Sequence, residues 1–206
     1  ALKKKSPFRI AMLGHKRIPS REGGVEIVVG ELATRMTQLG YDVTCYNRKG
    51  HHVSGEEFDT EVLTEYNGVH IKQVFTLQKG GLAAASSSFF AALKAAFGAF
   101  DVVHFHAEGP CAMIWLPKLL GKKCIATVHG LDHQRAKWGG FASKYIYFGE
   151  KCAVKFADEI IVLSENVRDY FKEKYDRETV FIPNGVIRAG KKDASEIENK
   201  FSLKKD

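Results

Sequence analysis

Short runs of apolar, largely β-branched residues alternate along this chain with segments of helical period. That alternation restricts the fold more than any other feature. The runs are FRIAMLG (8–14), YDVTCYN (41–47), VHIKQVF (69–75), DVVHFH (101–106), KCIATV (123–128), DEIIVLS (158–164) and TVFIP (179–183). Most are apolar almost throughout, as strands buried on both faces must be. After the first run, Val25, Val28, Val29, Leu32, Met36 and Leu39 recur at helical spacing, and Gly40 stands where a helix stops. Helices are also expected over 82–100, 110–120, 141–157 and 165–175. Pro110 opens the 110–120 segment and Pro117 breaks or kinks it. Residues 48–68 are polar and read as an irregular excursion. The pattern predicts an α/β domain, a parallel sheet with helices on both faces.

In such a sheet, ligands bind beyond the carboxyl ends of the strands. Function is therefore sought in the loops after residues 14, 106, 128, 164 and 183. The first loop runs from Gly14 to Gly24 and ends in Gly23-Gly24 at a helix start. Paired glycines let a ligand approach backbone N–H groups, and the helix end favours an anion, with Arg17 and Arg21 nearby. The loop is neither GxGxxG nor a Walker sequence. Its spacing fits a phosphate site and a plain mobile turn equally.

The stretch HGLDHQRAKWGG (129–140) follows a buried strand directly. It gathers His129, Asp132, His133, Arg135, Lys137 and Trp138, a set suited to a polyol: charged groups bond hydroxyls and an indole stacks on a sugar face. His129 and His133 are four apart, but a zinc site needs further ligands and nothing like HExxH is present, so no metal site is assigned. His104 and His106 share one face of their strand. His104 reads as a packed, hydrogen-bonded histidine, and His106, nearer the crevice, as a residue that touches a ligand. Residues 80–93 carry no charge, and Phe89, Phe90, Leu93 and Phe97 recur along the helix. The favoured reading of that face is core; the alternative is contact with a lipid-linked substrate or a membrane, aided by Lys79 and Lys94.

Composition removes several classes. The 206 residues, 45% hydrophobic, suffice for an independent core. No apolar run nears the ~20 residues that cross a bilayer. The start, ALKKKSPFRIAML, lacks the apolar length and cleavage site of a secretory signal. The net charge is +7, but Lys3–Lys5 and residues 187–206 carry most of it, leaving residues 6–186 at +2. A near-neutral body argues against nucleic acid as a partner. Cys45, Cys111, Cys124 and Cys152 show no CxxC pairing and read as buried free thiols of a reducing, cytoplasmic compartment.

The last expected strand ends in IPNGV (182–186), and a charged, apolar-poor stretch follows. Four segments in order, LGHKRIPSREGGVE (13–26), HGLDHQRAKWGG (129–140), VLSENVRDYF (162–171) and FIPNGV (181–186), resemble the N-terminal half of glycosyltransferase family 4, the retaining GT-B enzymes. The IP-x-x-x-GG-x-E loop and the RAKWG segment are most similar to bacterial rhamnosyltransferase-like members of polysaccharide assembly.

The resemblance implies two Rossmann-like domains about a cleft. Residues 1–186 would be the acceptor-side domain and 187–206 a linker towards a nucleotide-sugar-binding half that this chain does not include. It also implies a nucleotide-sugar donor, a glycan or polyprenyl-diphosphate-linked acceptor, retention without a cofactor or an essential metal, and a cytoplasmic enzyme with peripheral membrane contact. Gly23 and Gly24 match the loop that approaches the donor diphosphate, and His129 the histidine near the transferred sugar, here taken as catalytic. Glu26, Asp132, Arg135, Lys137 and Trp138 match positions peculiar to the rhamnosyltransferase-like members. With Arg17 and His106 they are expected to bind the acceptor. A sugar-nucleotide epimerase or phosphorylase of GT-B fold, and a stand-alone carbohydrate-binding domain, are the competing readings.

Overall fold

The computed structural model describes residues 7–21, 23–50, 62–79, 82–131, 140–186 and 200–201. Eight strands form one sheet: β1 (Arg9–Leu13), β2 (Asp42–Arg48), β3 (Glu65–Tyr66), β4 (Val69–Val74), β5 (Val102–His106), β6 (Lys123–Val128), β7 (Glu159–Val162) and β8 (Val180–Phe181). Their order is β3-β4-β2-β1-β5-β6-β7-β8, and every neighbouring pair is parallel except β3–β4. The helices are α1 (Gly24–Gln38), α2 (Leu82–Phe97), α3 (Trp115–Leu119), α4 (Gly140–Phe156) and α5 (Glu165–Tyr175), with a 3-10 turn at Gly109–Met113. This is the expected α/β architecture.

Alternate residues of each strand feed different cores. Ile10 and Met12 of β1 and Val43 and Cys45 of β2 pack with Val29 and Ala33 of α1. Ala11 and Leu13, with Val103, Phe105, Ala126, Val128, Ile160 and Val162, pack against α2, the 3-10 turn, α4 and Phe171 of α5. One helix thus covers one face and the remaining helices the other. The reason is handedness. A right-handed crossover that runs towards β2 lies on the opposite face from one that runs towards β5. All four cysteines are buried and free, as expected.

Three local expectations need correction. The stretch 48–68 contains a short hairpin at its end: Asn67 (φ 49) and Gly68 (φ 80) form the two-residue turn between β3 and β4. An Asn-Gly pair supplies the positive φ angles such a turn requires. Secondly, the 110–120 segment divides at Ile114, not at Pro117, which is the third residue of α3. An N–H in the first helical turn has no intrahelical partner, so proline costs little there. Thirdly, α2 does not bury its aromatic side. Ser87, Ser88, Ala91, Ala92, Ala95 and Ala96 face inward, whereas Phe89 is 37% and Phe97 77% exposed. Small side chains let the helix approach the sheet closely; Phe90 packs against the core, and Phe89 and Phe97 are turned out.

Helix α4 approaches the 3-10 turn closely enough that a Cβ on Gly149 would overlap the Glu108 carbonyl oxygen and lie 3.2 Å from Ala112 N. The neighbouring Glu150 is fully buried and joins α4 to α5. Its carboxylate accepts from the hydroxyls of Tyr170 (2.9 Å) and Tyr175 and from Lys174 Nζ (3.3 Å). The expected linker at 187–206 lies outside the described residues apart from Lys200 and Phe201, which are helical.

The close approach at Gly149 gives a test in which two effects oppose. Alanine raises helix propensity by about 1 kcal/mol over glycine. Overpacking a dense contact costs roughly 1–3 kcal/mol and here should win. Gly149→Ala should lower the urea midpoint; an unchanged or raised midpoint would contradict the packing.

Candidate active site

The strand order reverses at β1, whose neighbours β2 and β5 are reached by crossovers on opposite faces. The crevice beyond the carboxyl ends of β1 and β5 is therefore the topological switch point. Gly14 follows β1 there with φ +110, and a Cβ on it would overlap the carbonyl oxygen of His106, the last residue of β5. Only glycine satisfies both the backbone angle and the contact. Ala107, next to His106, has φ 73, so local backbone strain also sits at this point.

The loop after Gly14 is braced. His15 turns inward, 2% exposed, and its Nε2 lies 3.0 Å from Asn47 Oδ1 at the end of β2. The Asn47 amide also accepts from Ile18 N (3.1 Å) and donates to Ile18 O (2.8 Å). From α1, the buried Glu26 carboxylate accepts from Lys16 N at 3.0 Å and folds over Gly23. Arg17 donates to Gly50 O at 2.6 Å. Gly23 precedes α1 and has no side chain to cap the helix, and among the described residues nothing lies within 4 Å of where a Cβ on Gly24 would stand. Uncapped first-turn N–H groups behind an open glycine suit an anion.

The histidines converge from three segments. His104 and His106 stack along one face of β5, ring centroids 4.2 Å apart, and His104 Nε2 bonds Thr127 Oγ1 at 2.7 Å. His106 is fully buried, and its Nδ1 lies 3.2 Å from Nε2 of His129, the residue that follows β6. One ring of that pair donates and the other accepts. Among the described residues, His106 Nε2 and His15 Nδ1 are buried without a hydrogen-bond partner. Burial pushes the pKa of His15 and of His104 down to about 4, the neighbouring His129 adding to the effect at His104. His106 lies well below 6.5, again chiefly through burial and then through the other histidines. These three rings are neutral at neutral pH. Among the described residues no group of His, Cys, Asp and Glu could hold a metal ion.

On the α1 side of the sheet, the strands beyond β1 carry no helix among the described residues. A groove of about 440 Å³ lies there, lined by His104, His106, Thr127 and Ile161 of the sheet and by Ile27 and Leu32 of α1.

The structure thus brings Gly23, Gly24 and His129 to one edge of the sheet. Arg17 and Glu26 brace the first loop, and His106 stands behind His129, not at the surface. His104 is packed and hydrogen-bonded, as expected. Asp132, Arg135, Lys137 and Trp138, with His133, lie outside the described residues. His15 and Asn47 escaped the sequence reading. His15 was findable, since it directly follows the strand-ending Gly14. Asn47 sits within a strand run and carries no such signal.

A parallel sheet with this switch point and a glycine loop opening its first helix is a Rossmann-like domain. Solved structures with this fold include sucrose-phosphate synthase from Thermosynechococcus elongatus, with TM-score 0.61 and 17% identity over 96% of this chain and 53% of that one. Another is HepE from Anabaena in complex with UDP and glucose, with TM-score 0.62 and 12% identity over 94% and 50%. A third is a ugt transferase from Siraitia grosvenorii in complex with UDP, with TM-score 0.53 and 10% identity over 93% and 54%. The chain therefore spans about half the length of these proteins. No curated protein matches it significantly. The chain belongs to Glycosyltransferase Family 4, whose sequence pattern matches residues 22–188.

The buried histidines carry a pH test. Their folded pKa values lie below the unfolded value of 6.5, so the unfolded chain binds more protons below that pH. Their stabilising contribution is complete above about pH 6.5 and is lost as pH falls towards about 4. The slope should be about 1 kcal/mol per pH unit for each such histidine between pH 6 and 5. Urea unfolding across that range should show it, and His104→Gln, which keeps a partner for Thr127, should flatten it by one histidine's share. An identical slope in the variant would contradict the assignment.

Proposed function

We propose that residues 1–186 are the acceptor-side domain of a retaining glycosyltransferase, that 187–206 lead to its nucleotide-binding half, and that the enzyme moves a hexose or deoxyhexose from a nucleotide-sugar to a glycan or lipid-linked acceptor. Family membership supports transfer chemistry. The observation that carries the site is His129, held at the carboxyl end of β6 by the buried His106, at the same sheet edge as the uncapped, glycine-opened start of α1. The UDP and glucose in the HepE structure, and the UDP in the ugt transferase structure, support a nucleoside-diphosphate donor.

In this reading the backbone N–H groups at Gly23 and Gly24 and the positive end of α1 stabilise charge on the leaving diphosphate, an electrostatic effect that requires no metal. His129 orients the transferred sugar. The acceptor hydroxyl attacks the anomeric carbon on the face of the departing phosphate, the glycosidic bond to phosphate breaks, and that phosphate takes the hydroxyl proton. Asp132, Arg135, Lys137 and Trp138 bind the acceptor, with Arg17 at the rim; Glu26 and His106 support it from behind. The IP-x-x-x-GG-x-E and RAKWG segments favour a rhamnosyltransferase-like enzyme of cell-surface polysaccharide synthesis, working in the cytoplasm.

The complete protein should glycosylate an acceptor from a nucleotide-sugar in the presence of EDTA. His129→Ala should lower kcat by about 100-fold or more with the fold intact. A fully active variant would remove His129 from the mechanism. A free epimer or sugar phosphate, with no glycosylated acceptor, would assign an epimerase or phosphorylase instead.

A further inference from the structure

Strands β5 and β6 pair in parallel with His104 opposite Ile125 and His106 opposite Thr127. Each histidine of β5 reaches the side chain two residues beyond its partner, on the same face of the sheet. His104 Nε2 meets Thr127 Oγ1 at 2.7 Å, and His106 Nδ1 meets His129 Nε2 at 3.2 Å. The second contact joins two imidazole nitrogens, so one carries a hydrogen and the other is bare. Which of the two carries it decides what chemistry is open to His129.

The far nitrogen of His106 distinguishes the two cases. The ring is fully buried and neutral at neutral pH, so it carries a single N–H. Its Nε2 has no hydrogen-bond partner among the described residues. If His129 were the donor, the hydrogen of His106 would sit on Nε2 as a buried, unpaired N–H. If His106 Nδ1 is the donor, Nε2 is left as a bare acceptor. Protein interiors hold unpaired acceptors more readily than unpaired N–H groups. His15, at the same crevice, shows this choice made. Its Nε2 faces Asn47 Oδ1, and that amide is oriented by both backbone groups of Ile18: Oδ1 accepts from Ile18 N, and Nδ2 donates to Ile18 O. His15 Nε2 therefore carries the hydrogen, and the nitrogen without a partner among the described residues, Nδ1, is the acceptor.

We propose that His106 is a positioning residue that donates from Nδ1 to His129 Nε2 and thereby holds neutral His129 in the tautomer with its hydrogen on Nδ1. The tautomer of one ring is then set by the hydrogen bond its other nitrogen makes, as in metal and catalytic sites where a buried group stands behind a working histidine. In this form His129 has no bare nitrogen: Nε2 is taken up as an acceptor and Nδ1 is protonated. It does not remove the proton of an acceptor hydroxyl, and a hydrogen bond from it to a sugar hydroxyl or a phosphate oxygen is one that it donates. This consequence rests on the proposed transfer reaction, in which the departing phosphate takes the proton. The tautomer itself rests on the crevice alone.

Long-range proton–nitrogen correlation spectra of the 206-residue chain, made with isotopically labelled histidine and recorded at neutral pH, read which nitrogen of each ring carries a hydrogen. His106→Asn and His129→Gln identify the signals by their loss. Both His106 and His129 should be the Nδ1–H form, and a hydrogen on Nε2 of either ring would overturn the proposal. In the complete protein, His106→Leu should lower kcat about tenfold or more with KM nearly unchanged. His106→Asn, whose side-chain amide donates from the place of Nδ1, should recover most of that loss. An equal loss in both variants, or a loss in neither, would also overturn it. If His129→Ala proves fully active, the role of His129 in transfer falls, and the spectra still decide the pair.

Discussion

Parallel strands can be joined only by crossovers, and crossovers are right-handed. In this chain the direction of travel across the sheet reverses once, at β1. The reversal puts α1 on one face and α2 to α5 on the other, opens the crevice between β1 and β5, and leaves the groove over β5 to β7. Each later feature is a consequence of where that turn occurs. Gly14 stands at the point of reversal because two chain segments meet there with no room for a side chain.

Around that point polar groups are taken out of water and restrained. A buried hydrogen bond contributes about 1 kcal/mol net, but an unmade one costs more, so a satisfied buried network fixes geometry more than it adds stability. Asn47 illustrates this by joining His15 to both backbone groups of Ile18. Glu26 restrains the same loop from the helix side. Burial keeps His15, His104 and His106 neutral, so His129 rests on an imidazole that can either donate or accept. In the proposed transfer, a loop held in this way would present its N–H groups to the diphosphate already directed, the condition under which backbone dipoles stabilise developing charge.

The two sides of α2 separate stability from interaction. Alanine and serine on the inner side contribute close packing at little entropic cost. Phenylalanine on the outer side adds little to that packing and is available to a surface.

The sequence by itself determined the central strands, because strands buried on both faces are apolar almost throughout. It also determined the order of strands and helices along the chain, the turn at Gly14, the placing of Gly23 and Gly24 at a helix start and that of His129 at a strand end, since each depends on neighbours a few residues away. The Asn67-Gly68 hairpin was legible in principle, but its first strand, β3, is two residues long and too short to show a period. Which side of α2 faces the sheet was not legible, because alanine and phenylalanine both read as apolar and a helix apolar on both sides has no pattern to orient it. The meeting of His15 with Asn47, and of His106 with His129, was decided by tertiary structure alone. Those partners lie 32 and 23 residues apart. Only the pairing of β1 with β2, and of β5 with β6, brings them within hydrogen-bond distance.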